Sequence, residues 1–200
     1  MNDTKHMLII GASYAGNWGQ PDLPGYRITN KGISGEESWQ VAARFEKELL
    51  ADKPDAVLIW GHINDFMRSA PDQYEFATQR AIGGYRQMLA QARSAQVSVI
   101  LATEITLPTA IGWRDWIPAG VAWVRGKESY ASRINRQVKT VNTWLRQTAA
   151  REGIALLDLE RVVDDGSGGR KPAYAQEDRS HITAAGYAAI THFAREQLQR

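Results

Sequence analysis

No cysteine occurs anywhere in the 200 residues. That absence excludes a disulfide framework, a thiolate-bound zinc site and a cysteine nucleophile. It also accords with a reducing compartment. Long apolar runs are missing too, and none approaches the roughly 20 residues that a membrane span needs. The opening stretch Met1-Asn2-Asp3-Thr4-Lys5-His6 leads only into a short apolar run at 7–10, so no signal-peptide core is visible. Charge of one sign is scarce. Lys and Arg number 24 against 22 Asp and Glu, a net +2, and no Lys/Arg block stands out. Nucleic acid is therefore not an expected partner. These absences predict a soluble, cytoplasmic chain, or a secreted one if a leader was removed.

What is present is ordinary globular composition, 44% hydrophobic and 23% charged, in a length that suits one domain spanning 1–200. Such a chain can bury a sizeable core without a metal or disulfide staple. Short runs rich in Val, Ile and Leu recur at 7–10, 56–60, 97–103 and 154–157, with a weaker one at 26–29. They do not alternate, as expected of strands covered on both faces. Stripes of helical period lie between them: Ala42/Phe45/Leu49, Ala81/Tyr85/Met88/Ala92, Tyr130/Ile134/Val138/Val141/Leu145 and Tyr187/Ile190/Ala194/Leu198. This alternation predicts a three-layer α/β/α sandwich around a flavodoxin-like, five-stranded parallel sheet. Two segments break the rhythm. Residues 107–128 hold Pro108, Pro118 and the tryptophans Trp113, Trp116 and Trp123, and read as a loop insertion. Residues 164–176 are Gly-rich and read as a mobile surface loop.

Ligands of parallel α/β sheets sit at the carboxyl ends of the strands. Four polar clusters fall there: Gly11-Ala12-Ser13, the stretch 30–35, Gly61-His62-Ile63-Asn64-Asp65, and Asp178-Arg179-Ser180-His181. Acyl transfer needs a serine exposed on a tight turn, an imidazole to take its proton and a carboxylate behind the imidazole. Ser13 can be the first. Asp178 and His181, three residues apart, can be the others. The backbone N–H groups of Ser13 and Gly35 and the Asn64 amide are suitable donors for an oxyanion.

These clusters, in this order and spacing, resemble the SGNH hydrolases, a branch of the GDSL-type lipases and esterases. The resemblance covers nearly the whole chain. It implies Ser13 as nucleophile, Asp178 and His181 as acid and base partners, and Ser13, Gly35 and Asn64 as the oxyanion hole. It also implies a small-molecule ester as substrate and no cofactor. Three positions depart from the family pattern. Ala12 replaces the usual Asp, Gly61 falls one place early so that His62 takes the glycine's position, and Arg179 follows Asp178 where Gly is common.

Other readings of the same residues are weaker. The glycines after the first strand lack the Lys-Ser/Thr of a phosphate loop, and no Gly-x-Ser-x-Gly elbow occurs. Ser34, three residues before Glu37, reads as a helix cap. Asp65 reads as structural, Thr183 as the cap of the last helix, and His6 as preceding the first strand. His192 falls off the apolar stripe and should face solvent. His62, Asp65, Asp178 and His181 lack metal-ligand spacing, so no metal is expected. The insertion tryptophans could line an acyl or sugar subsite. That leaves a carbohydrate O-acetylesterase as one alternative function. A non-catalytic binding module on an eroded site is another.

Overall fold

The computed structural model describes residues 4–109 and 128–199. Five strands, β1 (Lys5–Gly11), β2 (Tyr26–Gly32), β3 (Ala56–Trp60), β4 (Ser98–Ala102) and β5 (Ala155–Leu157), form one sheet in the order β2-β1-β3-β4-β5. Every pairing is parallel, with Met7 opposite Ala56 and Lys5 opposite Tyr26. The expected five-stranded parallel sheet is therefore present. Met7, Leu8, Ile9, Ile10, Val57, Leu58 and Trp60 are fully buried, so the central strands are covered on both faces.

The helices are α1 (Ser13–Trp18), α2 (Ser38–Asp52), α3 (Ile63–Met67), α4 (Tyr74–Ser94), α5 (Tyr130–Glu152), α6 (Leu159–Val163) and α7 (Ala184–Leu198). α2, α4 and α5 pack in succession, while α6 packs on α7. α1 joins the second group, because Trp18 Nε1 donates to Thr191 Oγ1 at 2.9 Å and the Tyr187 hydroxyl donates to the Tyr14 carbonyl at 3.1 Å. Among the described residues no helix is long and apolar enough to cross a membrane.

The sheet order reverses between β1 and β3. In open α/β sheets such a reversal opens a ligand crevice outside the carboxyl ends of these two strands. β1 delivers Ser13 to that point and β3 delivers Asn64.

Two expectations need correction. Ser34 does not cap α2. The cap is Glu37, whose side chain accepts from the backbone of Gln40 while the Gln40 side chain accepts from the Glu37 N–H at 2.9 Å. The Ser–x–x–Glu spacing matches a capping box, but the helix begins three residues later than it implies. His6 lies within β1, with Nε2 2.8 Å from Thr29 Oγ1 on the neighbouring strand. Thr183 caps α7 as expected, accepting from the Gly186 N–H at 3.2 Å, and His192 is exposed beside Glu196.

Candidate active site

β1 must leave the sheet hard against β3. A Cβ on Gly11 would stand 1.7 Å from the Trp60 carbonyl oxygen, so only glycine fits. The partner strand answers with Gly61, where a Cβ would come within 2.8 Å of the Ala12 nitrogen. This pair explains His62. The close backbone approach is made at Gly61, and His62, at φ −154°, needs no glycine. Its ring turns inward instead, fully buried, edge-on to Phe66 and Tyr85.

Beyond Gly11 the chain enters α1 at once, so Ser13 takes the first helical position. Its backbone N–H has no carbonyl a turn earlier to meet and no partner among the described residues. Tyr14, Ala15 and Trp18 anchor the helix from below, with the Trp18 ring edge-on to Trp60 at 5.6 Å. Among the described residues, the Ser13 hydroxyl makes no hydrogen bond.

Asn64 sits in the first turn of α3. Its amide donates to the Glu36 carbonyl at 2.8 Å, which fixes the amide plane and leaves a second N–H to the cavity. The start of α3 is held in turn by Glu104. Its Oε2 accepts from the backbone N–H groups of His62 at 2.7 Å and Ile63 at 3.1 Å. Burial raises the Glu104 carboxyl above its usual range, and these N–H groups work against that rise. Glu104 gives no signal in the sequence, because the His62 and Ile63 N–H groups it holds lie more than forty positions away. Asp65 ties α3 to α2, accepting from both the N–H and the hydroxyl of Ser38 at 2.8 Å. Its expected structural role is what these bonds describe.

The fourth cluster forms a tight turn before α7. Asp178 Oδ2 meets His181 Nδ1, and Asp178 Oδ1 accepts from the backbone N–H groups of Ser180 at 3.0 Å and His181 at 2.9 Å. The His181 contact is the chief reason why the Asp178 carboxyl is held down to about 2. Asp178 is thus a carboxylate at any working pH, and its contact to Nδ1 leaves His181 Nε2 without a hydrogen bond among the described residues. Arg179 adopts φ +63°, the left-handed region that explains why glycine suits this place and that costs an arginine about 1–2 kcal/mol.

Ser13, Gly35, Asn64 and His181 line one cavity of about 310 Å³, together with Tyr14, Ser34, Ile63, Met67 and Ser180. The structure therefore brings the four separated clusters to one place. Ser13 and His181 share that cavity without a direct hydrogen bond, a looseness common in unliganded catalytic sites. Trp113, Trp116 and Trp123 lie outside the described residues.

The buried histidine gives a pH test. Burial pushes His62 down to about 3, with the Val138 carbonyl opposing slightly, so the native state keeps it neutral where the unfolded chain protonates it near 6.5. Its stabilising contribution is present above that value and is lost as pH falls toward 3, by up to about 1.4 kcal/mol per pH unit. Asp65 acts in the opposite sense. Burial lifts it to about 6, so its contribution is present below the unfolded carboxylate range and lost as pH rises through 6. The gap in stability between wild type and His62→Gln should therefore shrink between pH 7 and pH 5 in urea titrations. A constant gap would mean that native His62 also takes up a proton.

A parallel sheet with a serine after β1 and an Asp–His turn before the last helix defines a class, the serine hydrolases built on this α/β fold. Residues 11–189 match the GDSL-like Lipase/Acylhydrolase family, and the chain belongs to it. An acetylxylan esterase of Geobacillus stearothermophilus is 28% identical over 177 residues, 88% of this chain and 74% of that protein. Among solved structures, a GDSL-like lipase of Bacteroides thetaiotaomicron superposes with TM-score 0.74 at 18% identity, covering 100% of this chain and 90% of that one. The G. stearothermophilus acetylxylan esterase Axe2 gives 0.71 at 20% identity, covering 100% and 97%. The protein is an ester-hydrolysing serine hydrolase of the GDSL type.

Proposed function

We propose that this chain hydrolyses small carboxylic esters through an acyl-enzyme formed on Ser13. The observation that carries the reading is the single cavity into which Ser13, Gly35, Asn64 and His181 all face, with the Asp178 carboxylate behind the imidazole. His181 Nε2 takes the proton of Ser13 as Oγ bonds to the ester carbonyl carbon. The carbonyl oxygen becomes an oxyanion and meets the N–H groups of Ser13 and Gly35 and the free N–H of Asn64. The carbon–oxygen bond to the alcohol breaks, and His181 gives its proton to the departing alkoxide. Water then attacks the acyl carbon, losing a proton to His181, which passes it back to Ser13 Oγ as the carboxylic acid departs. Bonds and protons balance with no cofactor.

Asn64→Ala should lower kcat on p-nitrophenyl acetate by about 10²–10³-fold, the usual cost of one oxyanion donor. An unchanged kcat would remove Asn64 from the reaction.

Acetylated sugars are the second reading, favoured by the acetylxylan esterase relative. A cavity of about 310 Å³ lies at the small end of ligand sites and suits a short acyl group. Acetylated xylo-oligosaccharides compared with p-nitrophenyl octanoate on the purified chain decide it. Preference for octanoate would remove the acetyl reading. No turnover of either, with Ser13 unreactive, would instead favour a binding module.

A further inference from the structure

Arg170 is fully buried, yet it makes no ion pair among the described residues. Nη2 donates to the carbonyl oxygens of Arg179 at 3.0 Å and Ser180 at 3.1 Å, while Nε and Nη1 have no hydrogen-bond partner among the described residues. A buried cation so poorly compensated costs stability, and a packed apolar side chain would serve the fold better. Arg170 anchors the Gly-rich 164–176 segment to the protein, because its side chain sits inside and not in water.

What the guanidinium holds is the turn of the acid–base pair. The Ser180 carbonyl also accepts from the Tyr14 hydroxyl, and the guanidinium lies over the Tyr14 ring at 5.7 Å. Burial is the main cause that keeps the Tyr14 hydroxyl above its ordinary range, so it remains a donor at any working pH. Tyr14 follows Ser13 in α1, and its own carbonyl is held by Tyr187 of α7. One carbonyl, that of Ser180, is thus shared by a residue next to Ser13 and a residue of the 164–176 segment. Asp178 and His181 flank it.

We propose that Arg170 and Tyr14 are positioning residues. They clamp the Ser180 carbonyl and thereby set the Asp178–His181 turn at a fixed distance from the helix that carries Ser13. The proposal rests on the functional reading above. Displacing a catalytic group by about 1 Å can cost on the order of 100-fold. The clamp acts on geometry and not on substrate, so the loss belongs in kcat.

The test measures kcat and KM on p-nitrophenyl acetate, and the rate at which a fluorophosphonate labels Ser13, in Tyr14→Phe, Arg170→Met and Arg170→Lys. Tyr14→Phe keeps the ring and removes only the hydroxyl. It should lower kcat and the labelling rate about 10–100-fold with KM little changed. Arg170→Met should do the same, and Arg170→Lys, whose ammonium can still reach a carbonyl, should recover much of the loss. Should the Arg170 variants fail to fold, Tyr14→Phe decides the question alone. Wild-type kcat and labelling in Tyr14→Phe overturn the clamp. Failure of wild-type Ser13 to label would overturn the functional reading instead, which keeps the two outcomes distinct.

Discussion

Ser13→Ala is expected to lower kcat/KM on p-nitrophenyl acetate by about 10⁴-fold or more while leaving the unfolding midpoint close to wild type. The first part follows from the role. Without Oγ there is no acyl-enzyme, and what remains is binding plus the oxyanion donors, which on their own retain only a small part of the rate enhancement. The second part follows from the surroundings. The Ser13 hydroxyl has no hydrogen-bond partner among the described residues, and its residue is only half-buried at the cavity wall. Its loss leaves no buried donor unsatisfied. Ser34 and Ser180 line the same cavity and serve as controls. Ser180 Oγ even lies 3.3 Å from His181 Nδ1, but that nitrogen already meets Asp178, so Ser180 cannot be activated there. Ser34→Ala and Ser180→Ala should each stay within about tenfold of wild type, far short of the loss from a nucleophile. Near-normal turnover by Ser13→Ala would place the nucleophile elsewhere.

Asp178→Asn should cost about 10³–10⁴-fold in kcat with little loss of stability. The oxygen of an asparagine can still accept from the Ser180 and His181 N–H groups, so the turn survives. Its amide, however, presents N–H to His181 Nδ1 where a carboxylate oxygen stood. Nδ1 must then accept, the ring proton moves to Nε2, and Nε2 can no longer take the proton of Ser13. The imidazolium also loses its counter-charge. Asp178 is about half exposed, at 47% of its side chain, so water can replace part of that charge, and the lower end of the range is allowed for this reason. Steady-state kinetics beside a thermal melt checks both halves. A loss below tenfold would mean that His181 works without the carboxylate.

The parts of this molecule that can be read in sequence are those where one residue type answers one local demand. β3 spans Ala56–Trp60, as its apolar run implied, because all five residues are buried. β2 runs to Gly32, beyond the expected 26–29, because it is an edge strand and its polar end pays its way with side chains. Asn30 donates to the Ala15 carbonyl at 2.8 Å, and Lys31 pairs with Glu48 at 3.0 Å. α1 escaped notice since six residues are too few to show a helical period. The site's chemistry was legible as ordered clusters of serine, glycine, asparagine, aspartate and histidine. Its supports were not. Glu104 under α3 and Arg170 under the Asp–His turn are single charged residues in unremarkable sequence, and only burial and long-range partners reveal them.

The most direct measurement is intact-mass analysis after treatment with a fluorophosphonate, followed by peptide mapping of the adduct. One adduct per chain, on Ser13, abolished in Ser13→Ala and greatly slowed in His181→Ala, is the expected result. An active enzyme that takes no label there, or takes it on Ser34 or Ser180, would contradict the assignment of the reacting hydroxyl.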